Sequence, residues 1–304
     1  MELRVLRYFL AAIREGSILR AAHFLHITQP TLSRQLQDLE EELGQKLLIR
    51  TNRSVALTAE GKLLRRRAED IMEIVRKTEA EFRSMGENIR GDVYIGSGET
   101  EAMKLIARII RELREEYPGI RYHIYSGKTE EVEERVDKGI LDFGILIQPI
   151  NISKYDCINL PLKDVWGVIM RKDSPLAAKE SISFRDLQGL PLICSRQNPQ
   201  SKTGKSGYPE WFGRLFDKLN VVATYNLIYN AAQLVEEGIG YAIGLDRTID
   251  TMEHSVLCFR PLSPKVESGL NIVWKKYQVF STAAEIFLDR IQKDFSAAED
   301  QVRR

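Results

Sequence analysis

The sequence predicts a helical head with a small β wing, followed by one long helix and then a parallel α/β domain large enough for two lobes. Three observations predict it. Residues 1 to about 90 carry helical patterning with one small strand signal, whereas from Gly91 onward short β-type runs alternate with helical ones. Within the head, Leu64, Ala68, Ile71, Val75, Thr78 and Phe82 recur at heptad spacing, the mark of a helix that pairs with another. The charge also divides: 44 Lys and Arg against 43 Asp and Glu over 304 residues leave a net +1, yet residues 1–68 hold 12 basic against 7 acidic residues, so the body is net acidic. With 43% hydrophobic and 29% charged residues the chain is ordinary globular protein, which excludes a disordered one. The overall balance argues against a surface coated with basic charge, but not against a local basic patch.

Each element of the head follows from spacing. Over residues 3–14, Leu3, Leu6, Phe9, Leu10 and Ile13 form one buried stripe, ended by Gly16. Ser17 is the expected N-cap of a second helix with Ile18, Ala21, Ala22 and Leu25 inward, the paired alanines allowing a neighbour to approach closely. Thr28 caps a third helix with Pro30 in its first turn, Leu32, Leu36, Leu39 and Leu43 as its seam and Gly44 as its stop. Two short helices joined by a tight turn describe a helix-turn-helix. With the seam turned inward, Gln29, Thr31, Ser33, Arg34 and Gln37 remain on the outer face of the third helix, where side chains of these types hydrogen-bond to base edges. Residues 47–57 read as a β-hairpin wing whose tip carries Arg50 and Arg53, suited to phosphate or minor-groove contact. The long helix starts at the cap Thr58 and runs to about residue 85, with Arg65, Arg66 and Arg67 beside its seam as phosphate contacts or a solvated face.

Strand-like runs follow at 92–95, 121–125, 141–147, 165–170, 192–194, 221–223, 239–245 and 271–274, and helices at 101–117, 129–138, 209–219, 227–237 and 282–295. Gln148 and Pro149 mark the exit from the first lobe, to which the last strand and helix are expected to return. In open α/β sheets ligands sit beyond the carboxyl ends of strands, beside helix N-termini. That rule nominates Ser97, Glu99, Thr100, Ser126, Thr129 and Gln148 from the first lobe and Ser195, Arg196, Tyr225 and Asn226 from the second. Arg196 and the helix N-termini favour an anion, while Glu99 or Glu101 would instead occupy one of those positive ends itself. The loop 197–207, with Lys202 and Lys205, reads as a rim, and Tyr208 and Trp211 as packing.

Other chemistry is missing from the sequence. Gly127-Lys128-Thr129 and Gly204-Lys205-Ser206 lack the glycine five residues earlier that a phosphate loop needs, and the glycines of 238–244 lie in a strand rather than opening a helix. The four histidines show no metal spacing, no Gly-x-Ser-x-Gly pattern occurs, and neither an enzyme nor a cofactor or metal is expected. Cys157, Cys194 and Cys258 fit neither a disulfide framework nor a zinc ribbon, so a reducing cytoplasm is the expected compartment. The apolar run 8–13 is bracketed by Arg7 and Arg14 and reads as a helix face, and no run is long enough to cross a membrane.

The head resembles the LysR-type transcriptional regulators. The match runs in register through Ala21-Ala22, Leu25, Thr28-Gln29-Pro30, Ser33, Gln35, Leu39-Glu40, Leu43-Gly44, Leu47, Arg50, Thr51-Asn52-Arg53 and Leu57-Thr58-Ala59-Glu60-Gly61, about 60 residues of a specific signature. Leu48, where the family usually has Phe, and Thr28, where Ser is commoner, are its departures. The resemblance implies a winged helix-turn-helix over 1–58, a dimerisation helix and hinge over 59–90 using Leu64, Ala68, Ile71, Val75 and Phe82, and an effector-binding domain over 91–304 like the type 2 periplasmic binding proteins. It further implies Gln29, Pro30, Thr31, Ser33 and Arg34 at DNA-contacting positions, a homodimer forming tetramers on promoter DNA, and recruitment of RNA polymerase controlled by a small-molecule effector. The alternatives are a regulator whose cleft binds nothing and answers to protein contacts, or a solute-binding or enzymatic domain with a helical head.

Overall fold

The computed structural model describes residues 1–50, 54–83, 89–195 and 219–302, without the side chains of residues 50, 83 and 296–302. The predicted helix 209–219 and the loop 197–207, with Arg196, Lys202, Lys205, Tyr208 and Trp211, lie outside the described residues, Leu219 excepted, as does Arg53. The chain divides into two compact units, Met1–Arg83 and Ser84–Arg304.

In the first unit α1 (Leu3–Glu15), α2 (Ile18–Phe24) and α3 (Gln29–Leu43) precede a two-stranded wing, β1 (Leu48–Arg50) with β2 (Val55–Leu57), and then α4 (Ala59–Arg83). The wing is antiparallel, with Leu48 opposite Leu57 and Arg50 opposite Val55. Leu6, Phe9, Ala12, Ala21, Ala22, Leu32, Leu36 and Leu39 close the core, the two alanines of α2 covered because nothing larger would fit between that helix and its neighbours. Both predicted caps form: Ser17 Oγ accepts from Arg20 N–H at 3.5 Å and Thr28 Oγ1 from Thr31 N–H at 3.4 Å. Gly44, at φ 64°, ends α3 in the left-handed region that a side chain resists. Two seam positions differ from expectation: Leu3 and Leu43 sit at helix ends beyond the reach of neighbouring elements and are exposed.

The second unit runs β3 (Gly91–Ser97), α5 (Ala102–Glu116), β4 (Ile120–Ser126), α6 (Thr129–Asp137), β5 (Phe143–Ile147), β6 (Tyr155–Arg171), β7 (Ile182–Ser183), α7 (Phe184–Leu187), β8 (Leu192–Ser195), β9 (Val221–Tyr225), α8 (Ile228–Glu236), β10 (Tyr241–Leu245), β11 (Leu257–Ser263), β12 (Glu267–Lys275) and α9 (Thr282–Val302). The strand order β4-β3-β5-β12-β6-β10-β8-β9 places one lobe on each side of β6. In the first lobe Ile106, Ile109 and Leu113 of α5 and Phe287 and Ile291 of α9 cover one sheet face around Phe143, while Val132 and Val136 of α6 cover the other. The last strand and helix therefore return to the first lobe. In the second, Ile228, Ala231 and Val235 of α8 pack on Ile169, Ile193 and Ala242.

The sheet is parallel along β4-β3-β5 and β9-β8-β10, as alternation predicts. It is antiparallel wherever β6 or β12 pairs with a neighbour in it. The pattern of the sequence missed β11 and the first half of β6, and it overstated β10, whose residues 239–240 precede the strand. Pro161 and Pro261, with the charged residues around them, broke the pattern that marks a strand. Among the described residues no helix is long and apolar enough to cross a membrane.

Candidate nucleic-acid interface and ligand cleft

At the start of α3, Gln29, Pro30, Thr31, Arg34 and Gln37 are polar or small side chains at the surface, Arg34 and Gln37 lying on its outward turn, and Ser33 is half-buried. The α3 N-terminus is the positive end of the helix dipole, and Arg34 adds a full charge one turn further on. Among these side chains the Thr31 hydroxyl lies 2.8 Å from that of Thr28, and Gln37 Nε2 donates to Glu41 Oε1 at 3.0 Å. Arg34 has no ion-pair partner among the described residues. Arg50 ends β1 beside the wing turn. Arg65 pairs with Glu69 at 2.8 Å, an exposed i,i+4 pair of small energetic weight that leaves the guanidinium available to a phosphate.

Glu40 was not singled out by spacing, although it holds the wing against this face. It is buried on α3, and its Oε1 accepts from the N–H groups of Leu47 at 2.9 Å and Leu48 at 3.0 Å, with Lys46 Nζ at 3.3 Å from Oε2. An acidic residue on the apolar side of a helix was the available signal.

Of the α4 heptad positions, Leu64 joins the head core and Ala68 is fully buried in its own protomer, because α4 lies along α1. Ala68 is therefore closed to a partner, whereas Leu64 stays half-buried. Ile71 and Val75 are half-buried and Phe82 is 68% exposed, while Leu63 and Ile74 add exposed apolar surface one position off the expected register.

Between the lobes lies a cavity of about 70 Å³. Glu99, Thr129, Ser195, Tyr225 and Asn226 line it, as predicted, together with Gly127, Lys128, Trp166, Leu227, Ile228 and Thr248. Tyr225 turns its hydroxyl inward onto the Ile243 carbonyl at 2.6 Å, so its contribution is a wall rather than a donor. The other described nominees do not line this cavity. The Ser97 hydroxyl is buried and donates to the Gly98 carbonyl at 2.7 Å. Ser126 ends β4 on the exposed surface. Gln148 Nε2 donates to Asn271 Oδ1 at 2.6 Å, within an amide cluster that includes Asn159. Thr100 donates to Asp164 at 2.5 Å. The rule about strand ends finds the right loops but not where each side chain of the loop turns. Of the two glutamates weighed for a helix N-terminus, Glu101 pairs with Lys104 at 2.8 Å and Glu99 reaches the second lobe.

Asp164 sits in β6 where the strand leaves the first lobe. It is fully buried, and its Oδ1 has no hydrogen-bond partner among the described residues. Burial, with Asp246 nearby, pushes its carboxyl up to about 6 against the opposing effects of Thr100, Arg247 and the Glu101 N–H. The folded state thus holds the proton more tightly than the unfolded one, and stability falls as pH rises from about 4 to about 6. Asp164→Asn is expected to remove that slope and to raise stability at pH 7 by about 1–3 kcal/mol, read from melting temperatures across pH.

Two family models cover the chain. One, described as bacterial regulatory helix-turn-helix protein, lysR family, matches residues 3–62, and the other, LysR substrate binding domain, matches residues 86–296. Head and cleft together define a bacterial helix-turn-helix regulator with a ligand-binding domain. The chain belongs to the LysR family of DNA-binding transcriptional regulators. It is 30% identical over 277 residues to the Hca operon transcriptional activator HcaR of Escherichia coli, covering 91% of this chain and 92% of that protein. It is 27% identical over 301 residues to the HTH-type regulator YvbU of Bacillus subtilis, covering 98% and 100%. The crystal structure of CbnR, a LysR family regulator, shares the fold with a TM-score of 0.73 at 18% identity over 97% of this chain and 99% of that one; CbnR has also been crystallised with its target DNA, at a TM-score of 0.71.

Proposed function

We propose that the protein binds double-stranded promoter DNA as a homodimer, assembling further to a tetramer, and that a small-molecule effector in the cleft of residues 91–304 alters that complex and its engagement of RNA polymerase. In this reading Gln29, Pro30, Thr31, Ser33, Arg34 and Gln37 enter the major groove, Arg50 and Arg53 contact the backbone, and residues 59–90 form the linker helix and hinge. The protein acts by binding in the cytoplasm, with no catalytic step. The observation that carries this function is the polar first turn of α3, where Arg34 stands beside a positive helix end. Dimerisation rests on the exposed apolar side chains Leu63, Ile74 and Phe82 of α4, with the half-buried Leu64, Ile71 and Val75 beside them, in place of Ala68.

Affinity for a promoter fragment is expected to fall steeply with salt, as phosphate neutralisation releases counterions. Arg34→Ala should cost roughly 1–3 kcal/mol, concentrated at one base pair of the site, leaving nonspecific binding nearly intact. Titrations of wild type and variant against specific and scrambled duplexes check it; equal losses on both would make Arg34 a phosphate contact. Thermal shift of the full chain against a metabolite library tests the cleft, since a cleft under protein control alone responds to no metabolite.

A further inference from the structure

One of the protein's own carboxylates bridges the two lobes at the cleft. Glu99 stands in the loop after β3, in the first lobe, and its Oε2 accepts the Ile228 N–H at the first position of α8, in the second lobe. The Tyr229 N–H donates to the same carboxylate. A nine-residue helix needs partners for its first backbone donors. The residue at its N-cap, Leu227, has no side chain that could serve, and makes no capping bond. The cap therefore comes from the other lobe.

The cavity that remains, about 70 Å³, is far below the roughly 300–1,000 Å³ of small-molecule sites, so a metabolite enters only if the lobes part. Parting them breaks the Glu99 bonds and leaves the α8 donors open to another anion. Resting on the reading of this cleft as the effector site, we propose that Glu99 is a built-in stand-in for the effector: its carboxylate caps α8 and latches the lobes, and a carboxylate-bearing effector acts by taking its place. Burial raises the Glu99 carboxyl above its ordinary value despite the two backbone bonds that lower it, so the buried ion is held against a desolvation cost. Release into water recovers that cost, which makes the latch displaceable. The same geometry makes Glu99 a specificity determinant, since an incoming anion must compete with it.

Hydrogen exchange on the full-length protein tests the latch. In Glu99→Ala the amides at the start of α8 are expected to exchange about tenfold faster or more, the loss of charge-assisted bonds, with Glu99→Gln between it and wild type. Propionate, which replaces the missing side-chain carboxylate, should restore protection in Glu99→Ala, whereas the neutral propionamide should not. Unchanged exchange in both variants overturns the latch, and equal rescue by propionate and propionamide overturns the anionic stand-in. The reading of the cleft itself fails separately: if propionate rescues but no metabolite in the library binds wild type, the latch stands and the effector does not.

Discussion

Glu40→Leu is expected to release the wing from the recognition helix. The glutamate satisfies two buried backbone N–H groups, those of Leu47 and Leu48, at the point where the chain turns from α3 into β1. Leucine fills similar space but accepts nothing, and each orphaned buried donor costs about 1–3 kcal/mol. The wing strands are three residues each, too short to hold register without that anchor. Glu40→Gln retains a carbonyl oxygen at the site while giving up the ion pair with Lys46, whose side chain is 75% exposed and whose pairing therefore weighs little. Urea unfolding should separate the two substitutions by roughly 2–4 kcal/mol; indistinguishable curves would mean the two N–H groups find water instead. Duplex binding should fall with the leucine variant because wing contacts position the head.

Gly61→Ala should be comparably damaging although it adds one methyl group. A Cβ built on Gly61 meets the Leu47 carbonyl oxygen at 2.1 Å and Leu57 Cδ2 at 3.0 Å. That oxygen cannot retreat freely, because it already accepts the Thr58 N–H at 3.1 Å and the Thr58 hydroxyl at 3.2 Å. The Thr58 hydroxyl in turn accepts the Gly61 N–H at 2.9 Å, so cap, wing and first turn of α4 shift together. The expected loss is about 1–3 kcal/mol in the same unfolding experiment. Gly61→Ser should be no better, since the clash is made by Cβ, which serine carries as well.

The head was legible because its signals are local. The Thr28 cap, Pro30, the leucines of α3 and Gly44 each act within a few residues, and each stands where spacing put it apart from the exposed Leu43. The α4 heptad was legible as a stripe, but a stripe does not say which helix it meets: α1 of the same protomer covers Leu64 and Ala68. In the second unit the parallel strands showed as β-branched apolar runs. β11 did not, because Arg260 and Pro261 sit in it, tolerated where Arg260 reaches the Ala177 and Lys179 carbonyls and Pro261 faces Gly167. Of the cleft residues, Glu99, Thr129, Ser195, Tyr225 and Asn226 were found beside strand ends and helix N-termini. Lys128 at the N-cap of α6 and Leu227 at that of α8 were passed over because neither side chain is a usual cap, and Trp166 because its place in the lining depends on how distant segments come together.

The strand β6 belongs to both lobes, and the chain returns alongside it as β11 and then β12, antiparallel from Leu257 opposite Arg171 to Lys275 opposite Tyr155. Sliding one lobe past the other would shear these ladders, whereas bending or twisting the ribbon keeps their hydrogen bonds. The two lobes are consequently coupled through one ribbon, whose bend and twist are the motions its hydrogen bonds permit. A difference in what occupies the cleft is then expressed as how far that shared ribbon turns.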